Sequence, residues 1–135
     1  MENTVGLPQL NARAPEFKAV TTSGPRTLDD YKGKWLILFS HPADFTPVCT
    51  TEFIGFAKHF DKFQSMNCEL LGLSIDSLFS HLAWMRNIKE KFGVTIPFPI
   101  IEDIKMDVAR AYGMIHPGAA DTQAVRATFF IDPKG

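Results

Sequence analysis

The chain has 135 residues, 45% hydrophobic and 21% charged, with 14 Lys and Arg against 15 Asp and Glu. That length and apolar content support one packed domain and exclude a disordered or collagen-like chain. With a net charge of -1 and no block of like charges, the electrostatic footprint of a nucleic-acid binder is absent. Met1 to Leu10 has neither a basic nor an apolar stretch of the leader type, so no signal peptide is expected. Glu16 to Val20 alternates modestly and runs into Thr21-Thr22-Ser23-Gly24-Pro25, then Thr27-Leu28, which reads as a short hairpin. Trp35 to Ser40 is a continuous apolar run between Lys32-Gly33-Lys34 and His41-Pro42, the pattern of a strand buried on both faces. The longest apolar run, Trp35 to Phe39, is far short of the ~20 residues that cross a bilayer, so no membrane span is expected.

From Thr50 to Met66, Phe53, Phe56, Ala57, Phe60, Phe63 and Met66 recur at three- and four-residue steps, predicting one amphipathic helix. Leu70 to Ile75 is the next buried strand. Ser77 then caps a second helix with Leu78, Leu82, Met85, Ile88 and Phe92 as its apolar stripe, ended by Gly93. Phe98 to Ile101 reads as a strand, Met106 to Tyr112 as a short helix stopped by Gly113, and Arg126 to Ile131 as a last strand. Alternation of strands and helices implies an α/β fold with parallel central strands and right-handed crossovers. Asp132-Pro133-Lys134-Gly135 is a turn sequence, and a strand that reaches a turn is expected to have a partner beyond it.

Two cysteines, Cys49 and Cys68, are too few for a disulfide framework, so a reducing, cytoplasmic setting is expected. Cys49 falls where the long helix should begin, just past the carboxyl end of a strand, where α/β sheets bind ligands. A helix N-terminus favours the thiolate, the nucleophilic form. Pro42 and Pro47 give the intervening loop a defined shape, and the Thr46 hydroxyl is within reach of turning toward the sulfur. The plain alternative is an inert core cysteine, which the polar neighbours disfavour.

The pattern Pro42-x-x-x-Thr46-x-x-Cys49 resembles the active-site signature of the peroxiredoxins, thiol peroxidases on a thioredoxin-like fold. The fuller string, Phe39-Ser40-His41-Pro42 through Val48-Cys49-Thr50-Thr51-Glu52, is similar to the one-cysteine subgroup. So are His81-x-x-Trp84, Ile96-Pro97-Phe98-Pro99-Ile100 and Val125 to Asp132, so the likeness covers nearly the whole chain. It implies a thioredoxin-like fold, a central mixed sheet flanked by helices, truncated at the C-terminal end. Residues 1–135 would be the catalytic domain without the strand, helix and dimerisation region that follow in the family. The likeness implies Cys49 as peroxidatic nucleophile, Thr46 as hydrogen-bonding partner of thiolate and peroxide, Pro42 as a shield against water and Arg126 as the charge beside the sulfur. His41 would add polarity, and Glu52 would orient Arg126. Hydrogen peroxide and organic hydroperoxides are the implied substrates. No cofactor is implied beyond an external thiol reductant such as thioredoxin, glutathione or a small thiol. A homodimer or larger homo-oligomer is the implied assembly.

Rival readings are weaker. A thioredoxin-type reductase needs Cys-x-x-Cys, and Glu52 stands third after Cys49. Cys68 lies past the far end of the predicted helix, too distant to resolve Cys49 within the folded chain. Cys49, Cys68, His41, His59, His81 and His116 lack zinc spacing, so no metal is expected. A holdase or peroxide-sensing interaction protein on the same fold is the remaining alternative, and a holdase would be indifferent to loss of Cys49.

Overall fold

A computed structural model describes residues 8–115 and 126–135; residues 1–7 of the stretch read for a leader, His116 and Val125 lie outside the described residues. The predicted hairpin forms β1 (Lys18–Thr21) and β2 (Gly24–Thr27). The tight connection uses Gly24 at φ 97°, a left-handed conformation that suits glycine, and the Thr21 hydroxyl donates to the Gly24 carbonyl at 2.6 Å. β3 (Trp35–Ser40) and β4 (Cys68–Ser74) run parallel in the middle of the sheet, with Trp35 opposite Cys68 and Ser40 opposite Leu73. β5 (Ile100–Glu102) extends the parallel set beside β4, and β6 (Thr128–Ile131) pairs antiparallel with β3. The six-stranded mixed sheet has the order β2-β1-β5-β4-β3-β6.

The helices are α1 (Pro47–Lys58), α2 (Phe60–Ser65), α3 (Leu78–Phe92) and α4 (Asp107–Ala111). Period-2 alternation sorts the central strands onto two cores. Leu36, Leu38, Leu71 and Leu73 face one side, with Val108, Ala109 and Tyr112. Ile37, Phe39, Cys68 and Leu70 face the other, where Phe53 of α1 and Trp84 and Ile88 of α3 cover them.

Two expectations are corrected. The single helix over Thr50 to Met66 is two helices, starting earlier at Pro47 and interrupted at His59. The His59 amide bonds back to the Phe56 carbonyl at 3.2 Å, tightening the last turn of α1 and redirecting the chain. The apolar stripe of α3 is also different: Leu82 and Phe92 are exposed, while His81, Trp84 and Ile88 are buried. Residues 81, 84 and 88 have helical spacing too, and the imidazole is admitted because both of its nitrogens find acceptors inside. The Ser77 cap and the Gly93 stop hold: the Ser77 hydroxyl accepts from the Ser80 amide at 3.1 Å, and Gly93 sits at φ 68°.

Candidate active site

Parallel β3 and β4 deliver their carboxyl ends to one edge of the sheet, and the chain leaves β3 through His41 to Thr46 to start α1. Thr46 is the N-cap, its carbonyl accepting from the Thr50 amide at 2.9 Å, and Pro47 opens the helix. Cys49 therefore stands in the first turn, among backbone N–H groups without helical partners and at the positive end of the helix dipole. Cys49 is fully buried.

Arg126 reaches this spot from 77 positions away in the chain. β6 is registered on β3 with Thr128 opposite Phe39. One step further, the Ser40 amide donates to the Ala127 carbonyl and the Ala127 amide donates to the Ser40 hydroxyl oxygen, both at 2.9 Å. That splice fixes Arg126 beside the carboxyl end of β3. Its Nη2 donates to Cys49 Sγ at 3.5 Å, and its Nη1 pairs with Glu52. The hydrogen bond to the sulfur pushes the Arg126 pKa up, partial burial opposes it, and the interactions with Cys49 and Glu52 add to the rise. A fixed positive fork thus meets the sulfur on one side and a carboxylate on the other.

Thr46, Pro42 and His41 flank the same loop. The Thr46 hydroxyl donates to the Ala43 carbonyl at 3.2 Å rather than to the sulfur, so its remaining lone pairs are what it offers. Pro42 is half-buried. His41 is buried, packed against Phe53 and Trp84, and its Nε2 bonds Asp44 Oδ1 at 2.6 Å. Cys68 is buried at the amino end of β4, across the length of β3 from the site; burial and the Glu69 charge push its thiol pKa up. Six residues at ~3.3 Å rise separate those two ends of β3.

Sequence reasoning missed Asp44, Ser80 and His81. Asp44 Oδ2 accepts from Ser80 Oγ at 2.8 Å and lies 2.7 Å from His81 Nδ1, while His81 Nε2 lies 2.9 Å from the Ile101 carbonyl. Burial pushes the Asp44 carboxyl up, but the hydrogen bonds from His41, His81 and Ser80 overcome it and hold it well below the usual carboxylate range. The signal was available: a histidine at helical spacing from Ser77, Trp84 and Ile88 belongs to the inner face. His41, Asp44 and His81 are also the group of metal-ligand type among the described residues. Direct contacts of 2.6 and 2.7 Å close it, whereas atoms bound at ~2.0–2.2 Å to one tetrahedral zinc stand over ~3 Å apart.

A groove of about 590 Å³ runs along α1 and α2, lined by Glu52, Gly55, Phe56, His59, Lys62, Phe63 and Met66. It meets the site only at Glu52. Among the described residues, no helix is long and apolar enough to cross a membrane.

Residues 10–135 match the AhpC/TSA family. The chain is 61% identical over 132 residues to a peroxiredoxin of Aquifex aeolicus, covering 97% of this chain and 60% of that protein. It is 60% identical over 135 residues to a peroxiredoxin of Methanosarcina mazei, covering 95% of this chain and 62% of that protein. The solved structure of a yeast mitochondrial 1-Cys peroxiredoxin, described with thiol resolution via glutathione/thioredoxin systems, superposes with a TM-score of 0.86 at 42% identity. That match takes in 95% of this chain and 64% of the yeast chain. The chain thus spans about three-fifths of the length of the curated relatives it matches.

Proposed function

This chain belongs to the AhpC/TSA family, and from that premise we propose that it is a thiol-dependent peroxidase with Cys49 as the reacting group. The observation that carries the reading is the contact of Arg126 Nη2 with Cys49 Sγ at 3.5 Å, in the first turn of α1. The Cys49 thiolate attacks the terminal oxygen of a hydroperoxide; the S–O bond forms as the O–O bond breaks. The sulfur, oxidised by two electrons, becomes a sulfenic acid, and the departing alkoxide or hydroxide takes a proton to leave as alcohol or water. Arg126 faces the charge that develops on that leaving oxygen. Glu52 orients the guanidinium. The free lone pairs of the Thr46 hydroxyl accept the peroxide O–H, Pro42 limits water, and His41 supplies a polar wall.

An external thiol then condenses with the sulfenic acid, releasing water and forming a mixed disulfide, and a second thiol frees Cys49. Thioredoxin, glutathione or a small thiol fits this role, because Cys68 stands at the opposite end of β3. No prosthetic group enters the cycle. Two free thiols suit a reducing cytoplasm, and a homodimer or larger assembly is the proposed state.

The test follows peroxide consumption with dithiothreitol as donor, alongside mass spectrometry of Cys49 after one equivalent of peroxide. Cys49→Ser is expected to abolish turnover, and Cys68→Ser to keep most of it. Consumption that survives Cys49→Ser, or that fails equally in a folded Cys68→Ser, overturns the assignment.

A further inference from the structure

The loop between β3 and α1 is held by groups that the reaction itself does not use. Asp44 is its centre: the side chain is almost fully buried, its two oxygens take His41, His81 and Ser80, and its amide donates to Asp76 Oδ2 at 2.7 Å. Next to it Phe45 is held at φ 64°, a left-handed conformation that strains a bulky residue and persists only where its surroundings impose it. The hydrogen-bond partners dictate where the protons are. His81 Nε2 faces a carbonyl, which only accepts, so it carries a proton. His81 Nδ1 faces the Asp44 carboxylate, so it carries one too. His81 is therefore an imidazolium, and its charge balances Asp44. His41 Nε2 faces the other carboxylate oxygen and donates to it. His41 Nδ1 is buried with no partner among the described residues, so a proton there would be an unsatisfied buried donor with a charge that nothing balances.

We infer that Asp44 and His81 are positioning residues: their buried pair fixes His41 as the neutral tautomer with its proton on Nε2 and clamps the strained loop that presents Thr46 and Cys49. This role rests on the peroxidase reading, but the proton assignment does not. His81 sits on α3, Asp44 in the loop and His41 at the end of β3, so three elements are locked where one sulfur must meet one guanidinium. The Nδ1 lone pair of His41 is thereby kept free as a buried acceptor beside Phe53 and Trp84.

Two-bond ¹H–¹⁵N spectra of the ¹⁵N-labelled reduced chain near pH 7.5 test the protons directly. His81 is expected with both nitrogens protonated and His41 with Nε2 alone; a singly protonated His81, or a His41 protonated on Nδ1, overturns the inference without reference to activity. In Asp44→Asn the amide can no longer accept from both rings, so His41 should become a mixture of tautomers. Single-turnover oxidation of Cys49 by hydrogen peroxide should slow on the order of 10- to 100-fold, the scale of a catalytic group displaced by about an ångström. A folded Asp44→Asn with wild-type oxidation overturns the positioning role alone. A wild type inert toward peroxide overturns the peroxidase reading and this role with it. If Asp44→Asn does not fold, the wild-type spectrum still decides.

Discussion

Cys49 has no exposed surface, yet its sulfur is hydrogen-bonded to a guanidinium whose side chain is 39% exposed. On the proposed peroxidase reading a peroxide would come in past that guanidinium, which would make Arg126 both the charge beside the reaction and the edge of its entrance. Arg126→Met keeps the packing of the stem and removes the charge. It should slow Cys49 oxidation by on the order of 100-fold or more, the usual loss when one aligned donor is removed. Glu52→Gln should cost less, because it loosens the guanidinium without deleting it; stopped-flow oxidation rates rank the two, and equal losses would contradict the separation of roles. Asp44 carries a different signature, in stability. Its folded pKa lies below the unfolded value of about 3.9. Its contribution is therefore fully present above about pH 4 and is lost as pH falls further. In thermal melts across pH 2 to 6, wild type should exceed Asp44→Asn above about pH 4, and the gap should narrow below it.

β3 and the ends of α3 were legible because a continuous apolar run marks a buried strand and a serine and a glycine mark where a helix starts and stops. Trp35 to Ser40 matches its predicted bounds, and Ser77 and Gly93 bracket α3 as expected. What was not legible depended on contacts between elements. The break at His59 is a local hydrogen-bond choice that periodicity does not show. Although the spacing of His81 fits the inner face of α3, its partners there, Asp44 and the Ile101 carbonyl, come from other elements. Cys49 and Thr46 stood out by their place at a predicted helix start and Arg126 came from a resemblance, whereas the bond from Thr46 to Ala43 and the splice of Ala127 onto Ser40 are properties of the folded loop. Glycine at position 72 illustrates the same level of organisation. A Cβ there would come within 2.9 Å of the Phe53 ring, which is itself fixed against Phe39, Trp84 and Phe98. Gly72→Ala should thus destabilise by about 1–3 kcal/mol through overpacking between β4 and α1. Urea unfolding measures it, and Phe53→Leu in the same background should recover part of the loss.

At the scale of the molecule, the site depends on the margin of the sheet. β6 holds Arg126 in place through its pairing with β3, and among the described residues no strand pairs with its other side. Phe130 in the middle of β6 is 70% exposed, and the strand, Thr-Phe-Phe-Ile, carries no charge to discourage a partner. Such an edge recruits another strand, and its outward-facing amides exchange freely until it does. The 135-residue chain is therefore expected to self-associate with rising concentration in sedimentation velocity, and Phe130→Lys to shift it toward monomer. Because Arg126 directly precedes Ala127 and β6, association should also protect the amides of residues 127–131 from hydrogen exchange and raise the rate of Cys49 oxidation per chain. Phe130→Lys should lower both together, at unchanged folding by circular dichroism. A chain that stays monomeric at all concentrations, with full protection across 127–131 and a concentration-independent oxidation rate, would mean that β3 alone secures β6 and that Arg126 needs no support from outside the chain.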